Sequence, residues 1–312
     1  MTVSRAVNTP DRVPAATLAK VQAAVVQTGY VPNLLAGGLR SSKSRLVAAL
    51  IPTLIGPVFN EAVQALTAEL NARGYQLMLG QSGYADSHED DLLAAIIGRR
   101  PDGIVLTGVT HSVEARRRLL AAGIPVVETW DLTPTPIDML VGFSHAAAAE
   151  AVCRRFHAAG RRRLAVIGGD DERALRRSDA FVAAARRQRL AKPPVHTVPA
   201  PTTLGSGREG LRTLLAQHPD LDAVFCSSDL LALGVLTEAQ VLGVDVPGQL
   251  AVIGFGDLAF ARDLHPALTT VRIDGARIGR ETARCIVDRA EGREVLERVI
   301  DIGFTIVERA SV

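Results

Sequence analysis

The densest run of chemically capable side chains is Asp170-Asp171-Glu172-Arg173-Ala174-Leu175-Arg176-Arg177. It follows the apolar run Leu164 to Ile167 and the pair Gly168-Gly169, so it opens a helix at the end of a strand. Arg173 and Arg177 lie four residues apart and share one face of that helix. A guanidinium presents a planar fork of donors that fits a carboxylate. The pair points to recognition of an acidic small molecule, with a solvated basic helix face as the bland alternative. Further candidates stand after or at the end of apolar runs: Thr53, Gln81, Tyr84, Thr107, Trp130, Ser144, Phe225, Ser228 and Asp229. These side chains donate, accept or stack, and none of them forms a nucleophile–base constellation. Trp130 lies in the polar loop Thr129-Trp130-Asp131, where it offers a face to a sugar ring or serves an interface or the core. Ser144 and Asp229 each stand at a helix start, where capping competes with ligand contact.

The same reading excludes several chemistries. No G-x-G-x-x-G follows the first strand, and Gly205-Ser206-Gly207 lacks a nucleotide-binding context. Cys153, Cys226 and Cys285 are far apart, with neither zinc-ligand nor disulfide-framework spacing. No enzyme activity, cofactor or metal is expected. The absence of a signal peptide, of a bilayer-length apolar run and of paired cysteines makes the cytoplasm the expected compartment.

A frame must hold the candidate residues. The chain has 312 residues, 47% of them hydrophobic and 22% charged, with a net charge of +2. That is room for about two domains. From residue 45 short apolar runs alternate with amphipathic stretches. Strands are predicted at 45–51, 75–79, 103–107 and 125–128, with helices over 59–74, 87–99 and 113–122 between them. A second run of the same kind begins after Asp138 to Phe143. It has strands at 164–167, 195–198, 223–226 and 250–253 and helices at 146–159, 174–187, 210–216 and 230–242. A helix at 278–290 and a mostly extended stretch at 299–307 close the chain. Apolar strands alternating with helices indicate parallel sheets covered on both faces. Two such units form a cleft at the carboxyl ends of their strands.

The first 45 residues differ in character. They carry Arg5, Arg12, Lys20, Arg40, Lys43 and Arg45 against the single acid Asp11, an excess that favours a phosphate backbone. The order Thr2-Val3-Ser4-Arg5-Ala6-Val7-Asn8, Ala15 to Gly29, Tyr30-Val31-Pro32-Asn33, Ala36, Leu39, Arg40 resembles the LacI/GalR family of transcription regulators. The segment His265-Pro266-Ala267-Leu268-Thr269-Thr270-Val271 resembles the same family's return to its first lobe.

The resemblance implies a periplasmic-binding-protein-like type I core, α/β, of two doubly wound parallel-sheet lobes. A partial all-α helix-turn-helix headpiece (1–32) and a hinge helix with linker (33–44) precede it. The core would run 45–312, with lobe 1 at about 45–142 and 273–301 and lobe 2 at about 143–272 and 302–312. Ser4, Arg5 and Asn8 would lie on the recognition helix, and Tyr30, Asn33, Ala36, Leu39 and Arg40 in the hinge. Leu39 would wedge into the minor groove. Gly37 and Gly38 each cost about 1 kcal/mol of helix propensity, so DNA and a partner subunit must order the hinge. Nothing precedes Met1 in this sequence, so the family's first helix is missing from it and weak operator binding is expected of the chain as written.

In the core, Phe59 resembles the family's ligand-stacking aromatic, and an arginine at the 173–177 run its effector contact. Ser228 stands for an asparagine and Gly256 for the acid the family usually has there, and the neighbouring Asp257 is counted among the effector contacts. Losing that acid suits an anionic effector. The segments Gly74 to Gly80, Arg100 to Thr107, Ile137 to Phe143 and Val299 to Phe304 look most like the gluconate-utilisation repressors. The expected protein is a homodimeric repressor that binds double-stranded operator DNA and a sugar acid, with the helix from Phe59 to Leu70 contributing to the dimer. A solute-binding protein of a sugar transporter, or an effector-sensing form without DNA binding, is the alternative.

Overall fold

The computed structural model describes the chain apart from residues 1–2, 4, 7–9, 31–42, 54–56 and 84–85. It divides at Ser44 into two compact units. In the first unit, Val3, Arg5 and Ala6 are helical, and helix α1 spans Ala15–Thr28. Gly29 ends α1 in the left-handed region, at φ 62°, with its N–H turned back to the Val25 and Val26 carbonyls. No residue of α1 is buried.

The second unit, from Arg45, holds two six-stranded sheets. Sheet 1 has the order β11-β5-β4-β3-β1-β2, from β1 (Leu46–Ile51), β2 (Gln76–Gln81), β3 (Gly103–Thr107), β4 (Val126–Thr129), β5 (Met139–Gly142) and β11 (Val299–Asp301). All of its pairings are parallel. Sheet 2 has the order β12-β10-β9-β8-β6-β7, from β6 (Leu164–Gly169), β7 (Val195–Val198), β8 (Ala223–Cys226), β9 (Ala251–Phe255), β10 (Thr269–Arg272) and β12 (Thr305–Val307). Only β12 runs antiparallel to its neighbour.

The helices between strands are α2 (Asn60–Ala72), α3 (Asp86–Ile97), α4 (Val113–Ala122), α5 (His145–Ala158) and α6 (Glu172–Arg187). They continue with α7 (Leu204–Gln217), α8 (Asp229–Leu242) and α9 (Gly275–Ala290). The chain passes from lobe 1 to lobe 2 after β5, returns after β10, and passes once more between β11 and β12. Continuous apolar runs such as β1 and β6 are buried along their length because helices cover both sides of each sheet.

The structure adds detail to the sequence reading at three places. The final stretch 299–307 is two strands in different sheets. The break lies at Gly303, φ 67°, whose N–H is held by the Asp301 carboxylate. Helix α7 starts at Leu204, six residues before the predicted start, capped by Thr203 through the Ser206 N–H. Its glycines discourage helix locally but permit contact with α8: a Cβ on Gly207 would lie 2.2 Å from the Leu231 carbonyl oxygen, and one on Gly234 2.1 Å from that of Leu204. Tertiary packing thereby overrides propensity. The apolar face of α2 (Ala62, Leu66, Leu70) is spent against α9 within the chain. The exposed positions of α2 include Asn60, Glu61, Gln64 and Asn71, a largely polar surface for the dimer contact expected of it. Cys153, Cys226 and Cys285 are buried and unpaired. Among the described residues no helix is long and apolar enough to cross a membrane.

Candidate functional site

Strand ends of both sheets converge on a cavity between the lobes, of about 760 Å³ including its open mouth. Lobe 1 contributes Thr53, Pro57, Val58, Phe59 and Trp130. Lobe 2 contributes His145, Asp171, Arg173, Arg177, Ser227, Ser228 and Phe255. The lobe 1 wall is largely aromatic. Trp130 packs edge-on to Phe59, with centroids 5.1 Å apart, and to Phe143 at 6.4 Å. Its backbone lies in the left-handed region, at φ 69°, a strained conformation for a bulky residue.

The lobe 2 wall is cationic. Arg177 is 6% exposed. Its Nη1 donates to His145 Nδ1 at 2.9 Å, its Nη2 to the Ser227 carbonyl at 3.1 Å, and its guanidinium carbon sits 4.2 Å from the Phe255 ring centroid. Its Nε has no partner. Among the described residues no carboxylate lies within ion-pair distance of Arg177. Burial pushes its pKa down to about 10, so it remains cationic at neutral pH. Burial, reinforced by Arg177 and Arg173, pushes His145 well below its usual range. The imidazole is therefore neutral, accepting at Nδ1 and donating from Nε2 to the Trp130 carbonyl at 2.8 Å. Arg173 lies over the Phe59 face at 5.5 Å, with Asp171 3.8 Å from its Nε. Asp171 itself caps α6 through the Ala174 N–H.

Thr53, Phe59, Trp130, Arg173, Arg177 and Ser228 thus come together as the sequence suggested. Ser228 also caps α8 and shares a hydroxyl contact with Thr202 at 2.9 Å. Among the described residues, the other expected ligand contacts do not line this cavity. Phe225 is fully buried, stacked on Phe181 at 5.4 Å, because β8 is covered on both faces. Asp229 is fully buried and accepts from the Thr270 hydroxyl at 2.6 Å and the Leu258 N–H at 2.7 Å, so it ties loops of sheet 2 together. Desolvation pushes its carboxyl up to about 6. Asp257 pairs with Arg309 at 2.6 Å and faces a separate open cleft. Ser144 caps α5 through the Ala147 N–H. The Thr107 hydroxyl donates to the Leu50 carbonyl. Gln81 is exposed at the end of β2.

Tyr84, Ser4, Asn8, Asn33, Ala36, Leu39 and Arg40 lie outside the described residues. Arg5 and Tyr30 are described and exposed. His145, Asp171, Thr202, Ser227 and Phe255 were missed, although each ends an apolar run or stands within four residues after one. That position, more than residue type, was the available signal.

Residues 153–312 match the family described as periplasmic binding protein-like domain, and residues 1–33 match bacterial regulatory proteins, lacI family. The HTH-type transcriptional regulator GntR of Pseudomonas aeruginosa is 36% identical over 313 residues, spanning 100% of this chain and 91% of its own length. The chain belongs to the LacI family of transcriptional regulators. A LacI-family regulator from Silicibacter pomeroyi superposes with a TM-score of 0.94 at 33% identity, covering 100% of this chain and 95% of its own. The regulator GntR from Chromobacterium violaceum gives 0.82 at 36% identity, covering 85% and 98%. The interlobe cavity is thus the inner cleft of a LacI-family core.

Proposed function

We propose that this LacI-family chain is a sugar-acid-responsive transcription repressor whose interlobe cavity binds an aldonate such as gluconate. The carrying observation is Arg177, a buried guanidinium with no carboxylate partner and an unsatisfied Nε at the cavity wall. A buried charge is costly until it is paired. An anion entering between Arg173 and Arg177 supplies the missing charge, while Phe59, Trp130 and the Thr202 and Ser228 hydroxyls suit a polyol chain. Thr53, Phe59, Trp130, Arg173, Arg177 and Ser228 are the contacts assigned. Arg5 and Tyr30 belong to the DNA-facing unit. The chain acts in the cytoplasm as a homodimer on palindromic operator DNA, without enzyme activity or cofactor.

Isothermal titration calorimetry tests the ligand class. Gluconate should bind the purified chain, and a neutral hexose or a purine should not. Tight binding of the neutral sugar or the purine, with none of gluconate, contradicts the proposal.

A further inference from the structure

Beside the cavity, four side chains from the two lobes meet. Thr110 follows β3 and Asp131 follows β4, both in lobe 1; Glu172 and Arg176 stand on α6 in lobe 2. Arg176 Nη1 lies 3.0 Å from Asp131 Oδ2, and Nη2 lies 2.5 Å from Glu172 Oε1. Nη2 also donates to the Thr110 hydroxyl at 3.1 Å, and that hydroxyl donates to Glu172 at 2.6 Å. Each lobe thus supplies a carboxylate or hydroxyl to a charge or acceptor on the other.

The lobe 1 half is held rigidly before it meets α6. The loop bearing Thr110 is pinned by the Thr107 hydroxyl on Leu50, by His111 Nδ1 on Glu89 at 2.6 Å and by the Ser112 hydroxyl on Asp90 at 2.7 Å. Asp131 is 5% exposed, and its backbone crowds the last strand before the crossover. A Cβ on Gly142 would lie 1.9 Å from the Asp131 carbonyl oxygen. The lobe 2 half is fixed by the Asp171 cap at the start of α6. The neighbours of this group, Trp130 and Arg173, line the cavity, whereas Thr110, Asp131, Glu172 and Arg176 do not.

We infer that Thr110, Asp131, Glu172 and Arg176 form a latch that holds the lobes closed beside the cavity, so that Arg176 governs effector release as a positioning residue without touching the effector. The group joins elements of different sheets, so its loss changes the balance between open and closed lobes more than the folding of either. A bridge of this kind made by an exposed pair would be worth little, but Asp131 is buried and its geometry is fixed from both sides. The inference rests on the cavity being the effector site.

The test uses the full chain with Arg176→Gln, Asp131→Asn and the double variant. Spin labels on cysteines replacing exposed Val113 in lobe 1 and Arg154 in lobe 2 report lobe separation without ligand, the native cysteines being buried. Stopped-flow fluorescence of Trp130, the single tryptophan, reports gluconate release. Both single variants should lengthen the ligand-free distance distribution and speed gluconate dissociation, Arg176→Gln about tenfold, and the double variant should match Arg176→Gln because the Asp131 bridge is already lost there. Wild-type distances and release rates in the variants, or additive effects in the double variant, overturn the latch. If gluconate gives no signal in calorimetry, the sugar-acid reading fails, and the ligand-free distances alone still decide the latch. Asp131→Asn, nearly isosteric, keeps that decision available should Arg176→Gln not fold.

Discussion

Arg177→Met separates the functional use of a buried charge from a structural one. Methionine fills much of the same volume against Phe255 without the charge. The fall of the Arg177 pKa from its ordinary range to about 10 corresponds to roughly 3 kcal/mol against the charged form in the folded chain. The sign follows from the direction. A cation whose folded pKa is depressed is disfavoured wherever it is still protonated, so the whole penalty stands at pH 7. Removing it returns that amount, and leaving His145 Nδ1 and the Ser227 carbonyl without a donor takes back about 1 kcal/mol or more for each.

The ligand-free variant should therefore unfold within a few degrees of the wild type, given roughly 2–4 °C per kcal/mol for a unit of this size. Gluconate affinity should fall by about 3 kcal/mol, more than a hundredfold, because the anion loses its buried partner. Thermal unfolding with and without gluconate, alongside calorimetry, measures both quantities. A variant that loses far more than 3 kcal/mol of stability while keeping its gluconate affinity would show that Arg177 holds the fold, and the reasoning from its unpaired charge would be wrong.

Two further outcomes follow from buried groups. The Asp229 carboxyl, lifted by desolvation from 3.8 to about 6, makes the folded state bind the proton more tightly; stability is greatest below pH 4 and is lost as pH rises to 6, by up to roughly 3 kcal/mol. Urea unfolding of wild type and Asp229→Asn between pH 4 and 7 should show the wild type gaining relative to the variant on acidification, and parallel profiles would refute this. Gly234→Ala drives a methyl into the Leu204 carbonyl and should cost about 2–3 kcal/mol in denaturant unfolding; a loss below about 1 kcal/mol would mean α7 and α8 can separate freely.

What the sequence disclosed depended on whether a residue's environment is local. The strand at 103–107 and the helix at 113–122 lie where their periodicity places them, because apolar pattern and burial agree there. The start of α7 was hidden because its glycines carry no helical signal, and their reason lies on α8. The site divided in the same way. Arg173 and Arg177 were legible as a same-face pair after a strand. Their neighbour Arg176 was quoted in the same run and passed over, since a sequence does not show that Asp131, 45 positions earlier, faces it across two lobes. Asp229 and Phe225 misled for the opposite reason: both stand at a strand's end, but side chains there point either into the cleft or back into the packed layers, and only the three-dimensional fold decides.

Arg177 and the Arg176 latch bear on the same equilibrium by different means. Arg177 is buried among His145, Ser227 and Phe255 of its own lobe with no carboxylate beside it, while the Asp131, Thr110 and Glu172 contacts tie α6 to lobe 1. An effector shifts such a balance only by its differential affinity for the two states. An anion that pairs with Arg177 and also touches Phe59 and Trp130 makes both sets of contacts only with the lobes closed, and a differential affinity of about 3 kcal/mol would change the closed-to-open ratio about a hundredfold. A neutral sugar filling the same space leaves the charge unpaired, so it should not bind measurably. Selectivity for an acid therefore comes from one buried side chain, and the capacity to switch from contacts made across the two lobes.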